Sequence, residues 1–214
     1  MMTIKQFVFN FVSVNTYLLY DETREALLID CGCMTRGEET ALSSFISDSN
    51  LILKRLLNTH CHFDHILGDS FIYKTYGIKP ECHRDECGAG VPSISKQAAS
   101  FGIFKEFEDI EPEHFIEAGD EIRFGNSVLK ALLVPGHSPA SLAFYSAADG
   151  VVFTGDALFQ TDIGRTDLWG GDHNTLVSSI KSQLLTLPDN TVVYPGHGPA
   201  TTIGYERMHN EYLA

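Results

Sequence analysis

The chain has 214 residues, 43% of them hydrophobic, and its 15 Lys and Arg against 28 Asp and Glu leave a net charge of −13. That length and composition fit one globular domain spanning residues 1–214 with a sizeable core. An acidic chain without a Lys/Arg cluster is excluded as a phosphate-tracking nucleic-acid binder or a protein held on an anionic membrane, and no apolar run approaches a membrane span.

Read in chain order, residues 4–20 predict two strands rich in Phe, Val and Tyr, a hairpin turning near Ser13–Asn15. A third strand covers Glu25–Asp30, and Leu42, Phe45 and Ile46 place a helical stripe within 37–47. A strand over 52–58 runs into the segment His60-Cys61-His62-Phe63-Asp64-His65. Phe71, Ile72 and Tyr76 mark a helix stopping at Gly77, and 78–83 reads as a strand. Residues 85–108, with Gly, Ser and three Phe, predict a helical or irregular excursion over the site. Strands follow at 122–124, 128–134, 141–145 and 151–154, with turns at Gly125-Asn126 and Asp149-Gly150. Asp172 is the expected N-cap of a helix to Leu187 that buries Leu176, Val177, Ile180 and Leu184. A last core strand spans 191–194 and a short helix is expected within 205–214. Strands outnumber helices, which favours two packed sheets with helices outside, an α+β architecture.

Cys31, Cys33, Cys61, Cys82 and Cys87 are an odd set in a chain too long for a disulfide scaffold. Free thiols are expected, Cys33 being the candidate for a reactive one and Cys61 for a supporting role beside the ligands. The N-terminus lacks the apolar stretch and small-residue cleavage site of a signal peptide. Together these point to the cytoplasm.

Four of the six residues in 60–65 are good ligands for a divalent ion. His60 and His62, two apart on extended backbone, point the same way, whereas the adjacent Asp64 and His65 diverge and suit a second ion. Three later strand ends repeat the theme: Val134-Pro-Gly-His137, Val152-Phe-Thr-Gly-Asp156 and Val192-Val-Tyr-Pro-Gly-His197. Each sets a ligand directly after Gly, where the chain turns sharply. Singly each is a common turn. Together with the hexapeptide they make the inventory of a two-metal hydrolytic centre.

This set resembles the metallo-β-lactamase superfamily along nearly the whole chain. Thr154-Gly-Asp-Ala-Leu-Phe159, Ile163-Gly-Arg-Thr-Asp167, Gly170-Gly-Asp172 and Tyr194-Pro-Gly-His-Gly198 resemble its glyoxalase II branch, whose members hydrolyse hydroxyacyl-glutathione thioesters. The resemblance implies a four-layer αββα sandwich with the metals at one edge. It implies one ion on His60, His62 and His137, another on Asp64, His65 and His197, and Asp156 bridging them, with Asp64 and Asp156 as the catalytic carboxylates. The ions would be zinc, with iron or manganese as options, and would yield a bridging hydroxide that attacks a small-molecule thioester or ester. The sequence ends about 17 residues after His197, short of the helical segment that grips glutathione in glyoxalase II. Asp64 in place of Cys argues against a true β-lactamase. Rival activities on the same scaffold are a mono-iron persulfide dioxygenase and a lactonase. Asp30 is a candidate holder of a ligand imidazole. Arg165 and Tyr145 are candidate substrate contacts, and the chain is expected to be a monomer or small homo-oligomer.

Overall fold

A computed structural model describes residues 1–88 and 90–214. Its first half holds strands β1 (Thr3–Phe9), β2 (Val14–Tyr20), β3 (Glu25–Ile29), β4 (Ile52–Leu57), β5 (Pro80–Cys82) and β6 (His114–Phe115), in that spatial order. Helices α1 (Arg36–Asp48), α2 (Phe63–Ile66), α3 (Asp69–Tyr76) and α4 (Ile94–Ser100) punctuate them. The second half holds β7 (Glu121–Phe124), β8 (Ser127–Leu133), β9 (Leu142–Ser146), β10 (Val151–Gly155), the small pair β11 (Leu158–Phe159) and β12 (Asp162–Ile163), then α5 (His173–Ser179), β13 (Val192–Pro195), β14 (Thr201–Thr202) and α6 (Ile203–His209). Its main sheet runs β14-β13-β10-β9-β8-β7.

The layers follow from strand alternation. Tyr17, Leu19, Leu27 and Ile29 face inward from the first sheet, meeting Phe124, Leu129, Phe144 and Phe153 of the second. Their neighbours Leu18, Ala26, Leu28 and Leu56 face outward under Leu42 and Ile46 of α1 and Ile72 of α3. Ala143, Val152 and Val193 do the same under Leu176 of α5 and Ile203 of α6. Both faces of each sheet are covered, so the central strands carry near-continuous apolar runs. The result is the expected αββα sandwich.

Most elements fall where the sequence places them, Asp172 capping α5 through Thr175 N included. Past α5 the chain continues in one wider turn, closed by Leu185 N donating to Ile180 O. The first hairpin differs: its turn is residues 10–13, because Asn10 and Ser13 take the left-handed conformation (φ 54° and 60°). Asn15 is thereby inside β2 and free to bond across the sandwich. The excursion resolves into a single tight turn at Arg84–Glu86, α4, and irregular chain to β6. No helix among the described residues is long and apolar enough to cross a membrane.

Two opposite ends of the sandwich are fastened differently. Away from the strand ends that carry ligands, buried Asp21 joins the sheets by accepting from Thr23 N (3.0 Å) and Oγ1 (2.6 Å) on its own turn and from Asn126 N (2.7 Å) and Ser127 Oγ (2.8 Å) on the β7–β8 turn. Burial by itself raises its carboxyl, but these hydrogen bonds outweigh burial and lower it from 3.8 to about 2. A carboxylate depressed in the folded state contributes stability that is full above its unfolded pKa and is lost as pH falls through the folded value. Asp21→Asn is therefore expected to unfold at lower urea concentration than the parent at pH 7, with the difference shrinking between about pH 4 and 2. Urea melts at pH 7, 4 and 2.5 check this, and an equal difference at every pH contradicts it.

Candidate metal centre

The ligand-bearing residues leave the same edge of both sheets. β3 and β4 run parallel with Ile29 opposite Leu57, so Asp30 and Asn58-Thr59 emerge side by side. After Thr59 the chain stays extended through His62 (φ −69°, ψ 144°) and then coils into α2, which sends Asp64 and His65 back toward the sheet. In the second sheet β10 and β13 are parallel with Gly155 opposite Pro195, which sets Asp156 beside His197. His137 follows β8. Two glycines there have no substitute. Gly136 has φ 123°, and a Cβ would lie 2.2 Å from the Leu176 backbone N of α5. At Gly196 a Cβ would lie 2.2 Å from Asp156 Oδ1.

Six of the seven candidate ligands meet as two triads. His137 Nε2 lies 2.8 Å from His62 Nδ1 and 3.3 Å from His60 Nε2. Asp64 Oδ2 lies 3.1 Å from His197 Nε2 and 3.5 Å from His65 Nε2. Asp156 stands between them, Oδ1 3.3 Å from His65 Nε2, Oδ2 3.5 Å from His197 Nε2 and 3.7 Å from His137 Nε2. Donor atoms around one zinc at ~2.0–2.1 Å are separated by about 3.3 Å when tetrahedral. The 2.8–3.5 Å separations within the two triads bracket that value.

The outward ring nitrogens are already engaged. His65 Nδ1 donates to Asp30 Oδ2 (2.9 Å), His137 Nδ1 to Arg165 O (2.8 Å) and His197 Nδ1 to Val12 O (3.1 Å). His60 Nδ1 donates to Thr59 Oγ1 (2.9 Å), whose hydroxyl donates to Asp30 Oδ2 (2.7 Å). Each bond fixes the tautomer that presents a lone pair inward. Asp30 thus holds one imidazole directly and a second through Thr59. Its carboxylate also accepts from Thr59 N (2.7 Å), so both oxygens are occupied and face away from the triads.

Electrostatics express the same demand for cations. Burial comes first for His60 and, joined by the neighbouring imidazoles, holds it well below the usual histidine range; burial and His137 lower His62 to about 3. Burial likewise opposes a charged His65, yet Asp156, Asp64 and Asp30 outweigh it and raise it. For Asp156 and Asp64 burial pulls upward, but His65 and the other imidazoles keep both below the usual carboxylate range. His65 Nε2 and Asp156 Oδ1 are buried without a hydrogen bond. Five imidazoles and two carboxylates packed this way fit divalent ions: N and O donors, inward lone pairs, and negative charge to offset positive.

One residue that sequence patterns do not flag ties the ligand loops together. Glu86, 2% exposed, accepts from Ser138 Oγ (2.6 Å), Ala140 N (2.7 Å) and Cys61 N (3.1 Å). It bridges the 60–65 and 137–140 loops from the tight turn after β5. Burial raises its carboxyl and these hydrogen bonds oppose the rise. His83 is buried and its Nδ1 accepts from Asp85 N to start that turn.

The triads open into a cavity of about 320 Å³ whose lining includes His62, Asp64, His137, Asp156 and His197 together with the apolar side chains of Phe63, Phe101, Leu168 and Trp169. Arg165 lines it too, its guanidinium paired with Asp167 through two 2.7 Å bonds. Tyr145 does not. It faces the other way from β9 and packs on the α5 side with Val152 and Leu176, so the strand's alternation removes it from the substrate side. Cys31 and Cys33 are fully buried with Sγ atoms 3.5 Å apart, against Gly68, and belong to the core. Cys61 packs beside Phe63 and Ile94 and lines the cavity, its backbone N donating to Glu86 and its backbone O accepting from Gln97.

Residues 9–197 match the Metallo-beta-lactamase superfamily, and the chain belongs to that family of metal-dependent hydrolases. It is 35% identical over 199 residues to the hydroxyacylglutathione hydrolase GloC of Haemophilus influenzae, covering 93% of this chain and 92% of that protein. It is also 32% identical over 203 residues to the mitochondrial persulfide dioxygenase ETHE1 of Bos taurus, covering 92% and 70%. Among solved structures, BLEG-1 B3 metallo-beta-lactamase superposes with a TM-score of 0.87 at 34% identity over 99% of this chain and 100% of that one.

Two outcomes are expected from the centre. Adding Zn²⁺, Mn²⁺ or Fe²⁺ to metal-stripped protein stabilises it by about 2.7 kcal/mol per site at a hundredfold excess over Kd, seen as a higher melting temperature; His60→Ala loses part of that rise, and an unchanged melt contradicts the ligand assignment. Glu86→Ala leaves two buried N–H groups without an acceptor, costing about 2–4 kcal/mol in urea melts. It also weakens metal retention about 10–100-fold against a competing chelator.

Proposed function

We propose that the chain hydrolyses a small-molecule thioester, in the manner of a hydroxyacylglutathione hydrolase: R–CO–SR′ + H₂O → R–COOH + R′–SH. The observation that carries this reading is the pair of ligand triads with Asp156 between them at the wall of an open cavity. Held there by His60, His62 and His137 and by Asp64, His65 and His197, with Asp156 shared, divalent ions would supply a water nucleophile of lowered pKa and polarise the carbonyl oxygen. Zinc suits this donor set, and iron and manganese are accepted by the same donors.

The remaining work falls to the chain. Asp64 and Asp156 stay ionised, line the cavity and offer acceptors that orient the protons of an attacking water. Asp30, Thr59 and the backbone carbonyls of Arg165 and Val12 keep four imidazoles from rotating. Pre-set orientation lowers the reorganisation needed on reaching the transition state. A departing thiolate is stable near neutral pH, so no strong general acid has to be found among these residues. The five free cysteines support a cytoplasmic setting for this activity.

Metal analysis of purified protein beside turnover of lactoylglutathione, homoserine lactone, a cephalosporin and glutathione persulfide tests the reading. The expected result is two metal equivalents per chain and thioester turnover exceeding the other three. Asp156→Ala is expected to lower kcat/KM by at least 10³-fold with the fold retained by circular dichroism. One iron per chain with oxygen consumption on the persulfide would overturn it in favour of dioxygenase chemistry.

A further inference from the structure

Apolar walls stand against the candidate centre, and both are bolted to ligand-bearing loops. The first is built on Phe63, which lies between His62 and Asp64 and is 3% exposed. Phe101, just past α4, meets it at 4.9 Å between ring centroids and is 44% exposed. α4 cannot drift from the centre, because Gln97 Oε1 accepts from Phe63 N (3.0 Å) and Gln97 Nε2 donates to Cys61 O (3.1 Å). The second wall is Leu168 and Trp169. Their loop is fastened at both ends, by His137 Nδ1 donating to Arg165 O (2.8 Å) and by Asp172 N donating to Gly136 O (2.8 Å).

Exposed aromatic surface held rigid beside a reacting centre is retained surface that a ligand would remove from water. Trp169 and Phe101 are each 44% exposed there. The cavity's polar lining is the candidate ligands, Glu86 and Ser138 of the ligand loops, Gln97 and Ser100 of α4, and the two cations Lys96 and Arg165. Arg165 is neutralised by Asp167. Lys96 is exposed and takes part in none of the ion pairs formed among the described residues. Phe101 packs on Phe63, which is flanked in sequence by two candidate ligands, so a group seated on Phe101 lies close to the scissile carbonyl. Lactate, with its hydroxyl and single methyl, leaves these walls wet.

We infer that the Phe63–Phe101 and Leu168–Trp169 walls form a binding subsite for an apolar acyl group, medium-chain or aromatic, of a thioester whose polar carrier lies toward Lys96. This deepens the thioesterase reading and rests on it. Burial of such a group in a preformed apolar slot favours it over acetyl or lactoyl, since each added methylene leaves water.

The test uses the full-length metal-loaded protein with two readouts. Acetyl, lactoyl, hexanoyl and phenylacetyl thioesters of one carrier, N-acetylcysteamine, are compared by kcat/KM; a second series holds acetyl fixed and varies the thiol from N-acetylcysteamine to benzyl mercaptan. Trp169 is the only tryptophan in the chain, so its emission reports the slot without turnover. Hexanoyl and phenylacetyl are expected to exceed acetyl and lactoyl by at least tenfold, and phenylacetate, unlike acetate, to shift Trp169 emission saturably. Phe101→Ala, a change at an exposed side chain, is expected to cut both the hexanoyl-to-acetyl ratio of kcat/KM and the phenylacetate affinity about fivefold or more. A flat acyl series, a gain from the apolar thiol in its place, or silent emission overturns the subsite. No thioester turnover at all, with phenylacetate still shifting Trp169, overturns the hydrolase reading and leaves the apolar slot standing.

Discussion

Two backbone hydrogen bonds decide whether this molecule has a site. Asn15 N donates to Gly196 O (2.6 Å), and Leu142 N donates to Thr59 O (2.8 Å). Each joins one sheet of the sandwich to the other at the edge where the ligands emerge. Candidate ligands from the first sheet must meet those from the second within about 3 Å, closer than loosely packed apolar faces would fix alone. The side chains of β2 reinforce the seam: Asn15 Nδ2 donates to Pro195 O and Gly198 O, both at 2.9 Å, and Tyr17 OH donates to Pro195 O at 2.6 Å. The same contacts leave the Tyr17 hydroxyl buried, and burial first among causes raises its pKa far above the usual phenol value. It stays a donor at any pH the protein meets.

The seam holds five imidazoles and two carboxylates against one another. His60 and His65 are fully buried with rings 4.1 Å apart, one pushed toward neutrality and the other toward the cation. Buried ionisable groups persist only when paired or coordinated. Protons supply part of that pairing in the isolated chain. Divalent ions would supply all of it at once, through nitrogen lone pairs that the outer hydrogen bonds already turn inward. Folding energy from the apolar layers therefore sustains an arrangement whose own electrostatics are unfavourable until it binds cations.

Much of this was legible in the sequence because the informative signals are local. A ligand next to a strand end needs only the strand and one Gly, and 137, 156 and 197 each carry that pair of features within a few residues, while 60–65 packs four candidate ligands into six positions. The sandwich was legible for a similar reason, since strand periodicity and the Asp172 cap are short-range. Glu86 and Gln97 were not. Each acts through contacts to residues 25 to 54 positions away, and nothing near them in sequence distinguishes an acidic or amide side chain that will be buried from one left in water. Tyr145 failed through alternation: a one-residue difference in which face a β9 side chain takes moves it from the cavity to the helix-covered layer. The first hairpin turn shifted because Asn10 and Ser13 adopted left-handed backbone, a choice set by side-chain bonds such as Asn10 Nδ2 to Asp64 O (3.0 Å) across the fold.

Asp30 shows how the fold and the centre constrain each other. It closes β3 in the left-handed conformation, φ 53°, where a non-glycine residue costs on the order of 1 kcal/mol. Continuing the strand in an ordinary β conformation would remove that cost and would aim the carboxylate elsewhere. The structure keeps the strained form because every group around it is fixed. Asp30 N donates to Leu57 O, Thr16 Oγ1 donates to Asp30 O, and the carboxylate accepts from Thr59 twice and from His65. Those bonds run to β2, β4 and the ligand loop together. The small conformational penalty at one residue thus orients two imidazoles, and a chain that relaxed it would lose the orientation before it lost the sandwich.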